Sequence, residues 1–78
     1  MKLQILGSGC PNCKRLEANA VEAVKAAGIS AEIEKVTDIE RIVEMGVMMT
    51  PALAIDGVVK STGKVLNKEQ IISIMTGI

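Results

Sequence analysis

The spacing of apolar and polar residues divides the first part of the chain into a strand, a long helix and a second strand. Lys2–Leu6 has the apolar-rich pattern of a short strand. From Pro11 onward, apolar residues recur at the spacing of an amphipathic helix: Leu16, Ala20, Ala23, Val24 and Ala27. Gly28 is well placed to end this helix in a Schellman arrangement. Residues 29–36 alternate with the period of a half-exposed strand, which we expect at an edge of a sheet.

A second, shorter helix is predicted between Thr37 and Gly46. Thr37 and Glu40 have the spacing of a capping box, and Gly46 is suited to close the helix. Three apolar residues mark one face of this helix: Ile39, Ile42 and Val43.

A hairpin is predicted next. The dipeptide Asp56-Gly57 is the one most typical of a two-residue type I′ turn, because both positions of that turn require a positive φ. It separates two apolar stretches, residues 52–55 and residues 58–61, which we interpret as antiparallel strands. Gly63 then ends the hairpin.

The last predicted helix begins after Asn67 and runs to about Met75. Asn67 and Gln70 have capping-box spacing, and Leu66 and Ile71 occupy the positions of a hydrophobic staple. The element order is then β-α-β-α-β-β-α, which predicts an α/β fold with a four-stranded mixed sheet and three helices. The first two strands are joined through a helix, so they are expected to be parallel.

Length and composition limit the size of the core. A chain of 78 residues holds one thin-cored domain, so we predict that residues 1–78 form a single domain. Hydrophobic residues make up 49% of the chain, and none of them is Phe, Tyr or Trp. Aliphatic side chains must therefore fill the interior.

Charge and hydropathy exclude several classes of function. Nine basic residues balance nine acidic ones without a run of either sign, so no nucleic-acid partner is expected. The longest apolar runs are far below the roughly 20 residues that cross a bilayer, so no membrane partner is expected either. The first strand starts without an export signal, and we expect a cytoplasmic protein.

The cysteine pair Cys10 and Cys13 carries the candidate chemistry. At a helix start, residues three apart lie on one side of the first turn, within the Cα separation of about 4.4–6.8 Å that a disulfide needs. Pro11 suits the first helical position and stiffens the ring between the sulfurs. The free N–H groups of that turn favour a thiolate, so the pKa of Cys10 is expected below the ordinary ~8.5. Cys10 is the predicted nucleophile, and Cys13, deeper in the helix, the resolving thiol.

Two further motifs accompany this pair. Thr50-Pro51 precedes a predicted strand, and Asp56-Gly57 is followed by Gly63. The pair itself follows a strand, in the sequence Gly7-Ser8-Gly9-Cys10-Pro11-Asn12-Cys13. Together these features, which span nearly the whole chain, resemble the thioredoxin superfamily, specifically its short, glutaredoxin-sized redox-disulfide proteins of archaea and bacteria. The resemblance implies a thioredoxin-like fold.

The resemblance also implies a function. It is thiol–disulfide exchange between the cysteine pair and protein or low-molecular-weight disulfides, with no bound cofactor and no metal. In similar proteins the proline matching Pro51 is cis and lies beside the sulfurs, and the backbone matching Thr50 pairs with the incoming peptide or thiol. Pro11 and Asn12 are the other two residues that are expected to support the cysteine pair. The implied electron donor is a flavoprotein similar to thioredoxin reductase, and a monomer is expected.

The chain departs from its larger relatives at the site. Gly9 stands where thioredoxins proper carry tryptophan, and Asn12 stands where glutathione-using glutaredoxins typically carry an aromatic residue. Residues 61–64 also lack the Gly-Gly and acidic pattern that holds glutathione's polar ends. A protein substrate or a dedicated reductase is therefore the expected partner.

Alternative interpretations remain for several residues. The two cysteines also suit a copper(I) chaperone, although such domains run β-α-β-β-α-β, and a catalytically silent interaction domain is a third class. With no histidine and no third cysteine, the chain cannot close a structural zinc site alone. Lys14 and Arg15 are expected to be solvated charges. Three methionines either form a docking patch or fill the core: Met45, Met48 and Met49.

Overall fold

The fold alternates strands and helices along the chain. The computed structural model describes residues 1–7, 9 and 11–77. Its elements are β1 (Lys2–Leu6), α1 (Pro11–Ala27), β2 (Glu32–Val36), α2 (Ile39–Glu44), β3 (Ala52–Ile55), β4 (Val58–Thr62) and α3 (Lys68–Thr76). The predicted order and the α/β fold class, a four-stranded mixed sheet with three helices, are confirmed.

The sheet has the strand order β2-β1-β3-β4. Strand β1 pairs in parallel with β2 and antiparallel with β3, so it lies in the interior of the sheet. Its last residue, Leu6, is opposite Val36 on one side and Ala52 on the other. The predicted parallel pairing of the first two strands and the edge position of β2 are both confirmed. The residue that follows Leu6 therefore lies near the middle of the sheet, at the edge where β1 ends.

Strand β2 begins at Glu32, three residues later than predicted, because the start of the predicted strand belongs to the end of α1. Gly28 adopts φ +65°, and its N–H donates to Lys25 O at 3.3 Å. Ile29 N–H donates to Val24 O at 3.4 Å. These are the two hydrogen bonds of the predicted Schellman motif, and they turn Ile29 back toward the helix.

Two apolar clusters cover the two faces of the sheet. The larger cluster joins β1 and β3 to α1 and α3, and its fully buried residues are Leu3, Leu16, Ala20, Ala23, Leu53 and Ile71. The smaller cluster lies on the α2 side and contains Leu6, Val36, Ile42, Val47, Ala52 and Ala54. As the composition requires, both clusters are aliphatic.

One prediction about α2, its N-cap, is wrong. The N-cap is Asp38 rather than Thr37: the Asp38 carboxylate accepts a hydrogen bond from Glu40 N at 3.0 Å. The helix starts one residue later than predicted because Asp38 reaches a free N–H two residues ahead of it, as N-cap carboxylates commonly do. Of the apolar face, only Ile42 is buried, while Ile39 is 67% and Val43 58% exposed. A helix of six residues contacts the sheet along too narrow a strip to cover all three.

The local signals in the second half of the chain are confirmed. Asp56 and Gly57 have φ +51° and +85°, as a type I′ turn requires. Asn67 and Gln70 form both hydrogen bonds of the capping box at the start of α3, at 2.8 and 3.0 Å. Within the described residues, no helix combines the length and apolarity needed to span a membrane.

A polar group lies on the same sheet face as α2. Gln4 Nε2 donates to Glu34 Oε1 at 2.9 Å, Lys2 Nζ lies 3.2 Å from Glu34 Oε2, and Arg41 Nη2 lies 3.5 Å from Glu34 Oε1. The hydrogen bond from Gln4, followed by that from Lys2, lowers the pKa of Glu34 below its usual 4.5. Folding therefore favours the ionised form of this carboxyl.

Replacing Glu34 with Gln is expected to change the pH dependence of stability. Because the pKa is lower in the folded state, the stabilising contribution is complete above the unfolded-state value near 4.5 and is lost as the pH falls through the folded-state value. The free energy of unfolding of Glu34→Gln should be below that of wild type near neutral pH, and the difference should shrink below about pH 4.5. Urea titrations followed by circular dichroism at several pH values measure this difference in the free energy of unfolding.

Glu22→Gln is the matched control for this prediction. Glu22 is exposed on α1 and forms no ion pair within the part of the chain that the structure describes. Its unfolding curves should follow those of wild type at every pH. A Glu34→Gln deficit that stays constant from neutral to acidic pH would contradict the prediction.

Candidate active site

Of the predicted site residues, five lie within the described part of the chain. The predicted nucleophile Cys10 lies outside the described residues, so its role stays a prediction. The remaining residues are Pro11, Asn12, Cys13, Thr50 and Pro51, and they come from two separate segments of the sequence.

Helix α1 positions the second cysteine. Cys13 lies in the first turn of the helix, on the face that also buries Leu16 and Ala20. Its side chain is 5% exposed. Pro11 and Asn12, on the same turn, are both exposed. A large disulfide substrate therefore cannot reach the Cys13 side chain directly.

Gly7 makes room for the Cys13 sulfur. Gly7 is buried, and its N–H donates to Val36 O at 2.9 Å, which extends the pairing of β1 by one residue. A Cβ built on Gly7 would overlap Cys13 Sγ and would lie 3.2 Å from Cys13 Cβ. Sequence reasoning treated Gly7 only as part of the loop and missed this contact. The available signal was a glycine directly between a buried strand and the cysteine motif.

The segment before β3 completes the site. The Thr50–Pro51 peptide bond is cis. Pro51 is buried and Thr50 is exposed, and Pro51 O accepts a hydrogen bond from Gly63 N at 2.8 Å. The Cβ position built on Gly7 would also lie 3.8 Å from Thr50 Cβ. The backbone of Gly7 thus lies close to both Cys13 and Thr50, which come from the two segments of the site.

A cavity lies beside Cys13, between α1 and β2, and Gly7 also lines it. Besides Cys13 it is lined by Lys14, Glu17 and Lys35, and Glu17 Oε2 lies 3.4 Å from Lys35 Nζ. The ion pair joins the helix to the edge strand beside the site. Sequence reasoning assigned no role to Glu17 or Lys35. Lys14 and Arg15 are exposed, as predicted.

Among the described residues, no group of three or more His, Cys, Asp or Glu side chains could hold a metal ion. What the described residues provide is one buried thiol at the start of a helix, a close backbone approach at Gly7, and an exposed residue next to a cis proline.

Comparison of the sequence with known proteins identifies the family. The family model described as Thioredoxin domain matches residues 1–76. The chain belongs to the thioredoxin family. The predicted superfamily membership is therefore confirmed, and this thioredoxin-family protein is a thiol–disulfide oxidoreductase.

Two curated thioredoxins of archaea are clearly similar to it. The thioredoxin of Methanothermobacter thermautotrophicus is 50% identical over 76 residues, which cover 97% of this chain and 99% of the relative. The thioredoxin of Methanocaldococcus jannaschii is 44% identical over 69 residues, covering 88% of this chain and 79% of the relative. The similarity to the first of them extends over nearly the full length of both chains.

Replacing Gly7 with Ala is expected to destabilise this thioredoxin-family protein because the new methyl group occupies the space of the Cys13 sulfur. Overpacking of this kind costs about 1–3 kcal/mol. The cost should be largely absent when Cys13 is also replaced with Ala, because the sulfur is then gone. Urea unfolding of the two single variants and the double variant measures the coupling.

Additive effects of Gly7→Ala and Cys13→Ala would show that the two residues do not compete for the same space. The prediction would then fail. The reduced wild-type protein is the reference in each titration, so the redox state of the cysteine pair does not enter the comparison.

Proposed function

We propose that this protein reduces disulfides of protein substrates through the pair Cys10 and Cys13, with Cys10 as nucleophile and Cys13 as resolving thiol. The observation that carries the proposal is the burial of Cys13 in the first turn of α1, against Gly7 and next to Thr50. A sulfur in that place is shielded from a bulky substrate and accessible from within the same turn. This is the requirement for a resolving thiol.

The reaction consists of two exchanges. The Cys10 thiolate attacks one sulfur of the substrate disulfide, which forms a mixed disulfide and releases the other substrate sulfur as a thiolate. Cys13 gives up its proton and attacks the Cys10 sulfur. This step closes the Cys10–Cys13 disulfide and releases the second substrate thiolate. Two electrons pass from the protein to the substrate, and the exchange needs no cofactor beyond the dithiol.

The supporting residues fit this scheme. Pro11 occupies the first position of α1, where the missing N–H costs no hydrogen bond, and Asn12 is exposed between the two cysteines. Thr50 is exposed beside the buried Pro51, so its backbone is available to pair with an extended substrate segment. We assign these four residues to positioning of the disulfide and the substrate.

The proposal also covers the domain organisation, the oligomeric state, the location and the electron donor of the protein. We propose that residues 1–78 work as one domain, as a monomer in the cytoplasm, and that a flavoprotein similar to thioredoxin reductase returns electrons to the Cys10–Cys13 disulfide. The named relatives support this role, since both are thioredoxins. Protein disulfides rather than glutathione are the proposed substrates, because an amide residue, Asn12, stands between the cysteines.

A Cys13→Ser variant is expected to accumulate a mixed disulfide with substrate because the second exchange cannot occur. Incubation with a peptide cyclised by one disulfide, followed by non-reducing electrophoresis and mass spectrometry, should show a covalent complex that a reductant dissolves. Cys10→Ser is the matched variant and should form no such complex. A complex with Cys10→Ser and none with Cys13→Ser would reverse the two roles.

The reduction potential of the cysteine pair tests the direction of electron flow. Thiol trapping and mass spectrometry across dithiol buffers without added metal should show one reversible two-electron transition. A midpoint near thioredoxin values, about −270 mV, is expected, whereas a midpoint near −120 mV would indicate an oxidant. Thiols that form no disulfide but are protected by copper(I) would overturn the proposal in favour of a metal chaperone.

A further inference from the structure

Two lysines lie near Pro51, on the side of the site where β4 ends. Strand β4 ends at Thr62, which is opposite Ala52, the residue after Pro51. Lys60 comes from this strand and Lys64 from the loop that follows it, and both are exposed. Neither lysine forms an ion pair within the described part of the chain. Their positive charges are thus available to a partner that approaches the site.

The loop that carries Lys64 is held at both ends by hydrogen bonds to other segments. Gly63 N–H donates to Pro51 O at 2.8 Å. Gly63 has φ +69°, a conformation that favours glycine. At the other end of the loop, Asn19 Nδ2 on α1 donates to Leu66 O at 2.9 Å. The backbone of Lys64 is therefore fixed between Pro51 and α1, close to the start of β3.

A β-bulge occurs at Lys60. In the pairing of β3 with β4, Leu53 lies opposite Ser61, and Ala54 lies opposite Val59. Lys60, between Val59 and Ser61, therefore has no residue opposite it. Bulges of this kind bend an edge strand and redirect a side chain, and they are frequent next to functional sites. Because β4 is an edge of the sheet, an extended polypeptide can run along its outer side and meet Lys60.

The two lysines line one open depression of about 390 Å³. The other residues that line it are Val59, Ser61 and Thr62. Four of these five side chains can donate hydrogen bonds, and no carboxylate of the described chain is among them. The lining of the depression therefore favours an anionic group that accepts hydrogen bonds.

We propose that Lys60 and Lys64 bind an acidic side chain of the protein substrate, in the segment next to its reactive disulfide. The inference rests on the proposed function, which supplies the disulfide, and adds the charge of the sequence around it. An extended segment that leaves the site along β4 passes both lysines. The opposite charges favour the encounter and select against substrates with basic flanking residues. The two lysines thus determine specificity and take no part in the exchange itself.

Other anionic partners fit this depression less well. Small anions such as phosphate favour the free N–H groups at a helix start. Helix α3 begins only at Lys68, and the N–H of Gln70 in its first turn already donates to Asn67. Two lysines also neutralise too few phosphates for a nucleic acid. An acidic polypeptide is favoured because its backbone can pair with the edge of β4 while its carboxylate binds the lysines.

Three cyclic peptides test the proposal. They share one disulfide and one ring size and differ only in the residue on each side of the ring, which is Glu, Gln or Lys. For wild type at low ionic strength, kcat/KM should fall from the Glu to the Gln to the Lys peptide, by about two- to fivefold at each step, as expected for exposed ion pairs. Added salt should reduce these differences because it screens exposed charges. Bis(2-hydroxyethyl) disulfide, which has no flanking residues, is assayed in parallel.

Variants assign the preference to the two lysines. Lys60→Glu and Lys64→Glu should each lower the ratio of kcat/KM for the Glu peptide to that for the Lys peptide, and the double variant should invert it. Any intrinsic effect of the peptide charge on the disulfide is the same for every variant, so the change in the ratio belongs to the lysines. Lys25→Glu is the matched control, because Lys25 is exposed in the last turn of α1, at the opposite end of the helix from Cys13. It should keep the wild-type ratio.

The outcomes separate this inference from the function on which it rests. Wild type that exchanges with none of the peptides nor with the small disulfide contradicts the proposed function itself. Active exchange with equal kcat/KM values for the three peptides overturns the role of the lysines alone. So would a ratio that the Lys60 and Lys64 variants leave unchanged. If these variants instead associate through β4 while the ratio stays the same, the bulge and its lysine serve only to block pairing between copies of the edge strand.

Discussion

The close packing of the Gly7 backbone against the Cys13 sulfur is the constraint on which the site depends. It requires an interior strand that ends at Leu6, a helix whose first turn faces that end, and a residue without a side chain between them. The segment at Thr50 approaches the same glycine. The absence of a side chain at Gly7 thus leaves room for parts of the chain that are far apart in sequence to come close together, with Cys13 buried among them.

The two faces of the sheet are covered unequally by helices. Helices α1 and α3 bury the larger cluster, which gives α1 a rigid base for its first turn. The six-residue α2 buries only Ile42 and leaves Ile39 and Val43 exposed. The short α2 therefore leaves apolar side chains in solvent on this side of the sheet.

Local signals in the sequence were reliable where the interaction itself is local. Gly28 ends α1, the pair Asn67 and Gln70 opens α3, and Asp56-Gly57 forms the turn, each through hydrogen bonds or φ values within a few residues. The wrong N-cap of α2 is a local matter too. Thr37 and Asp38 are both acceptable N-caps, and the Asp38 carboxylate is the one that accepts a hydrogen bond from Glu40 N.

The sequence by itself determined the element order, the α/β class, the end of α1, the start of α3 and the cysteine pair, because periodicity, backbone preferences and capping act over three or four residues. Tertiary structure decided which apolar residues are buried. It also decided that Thr50 comes next to Cys13 and that Gly7 is a packing position rather than a loop residue. These features depend on contacts between distant segments, and such contacts are set only when the strands take the order β2-β1-β3-β4 and the helices pack on them.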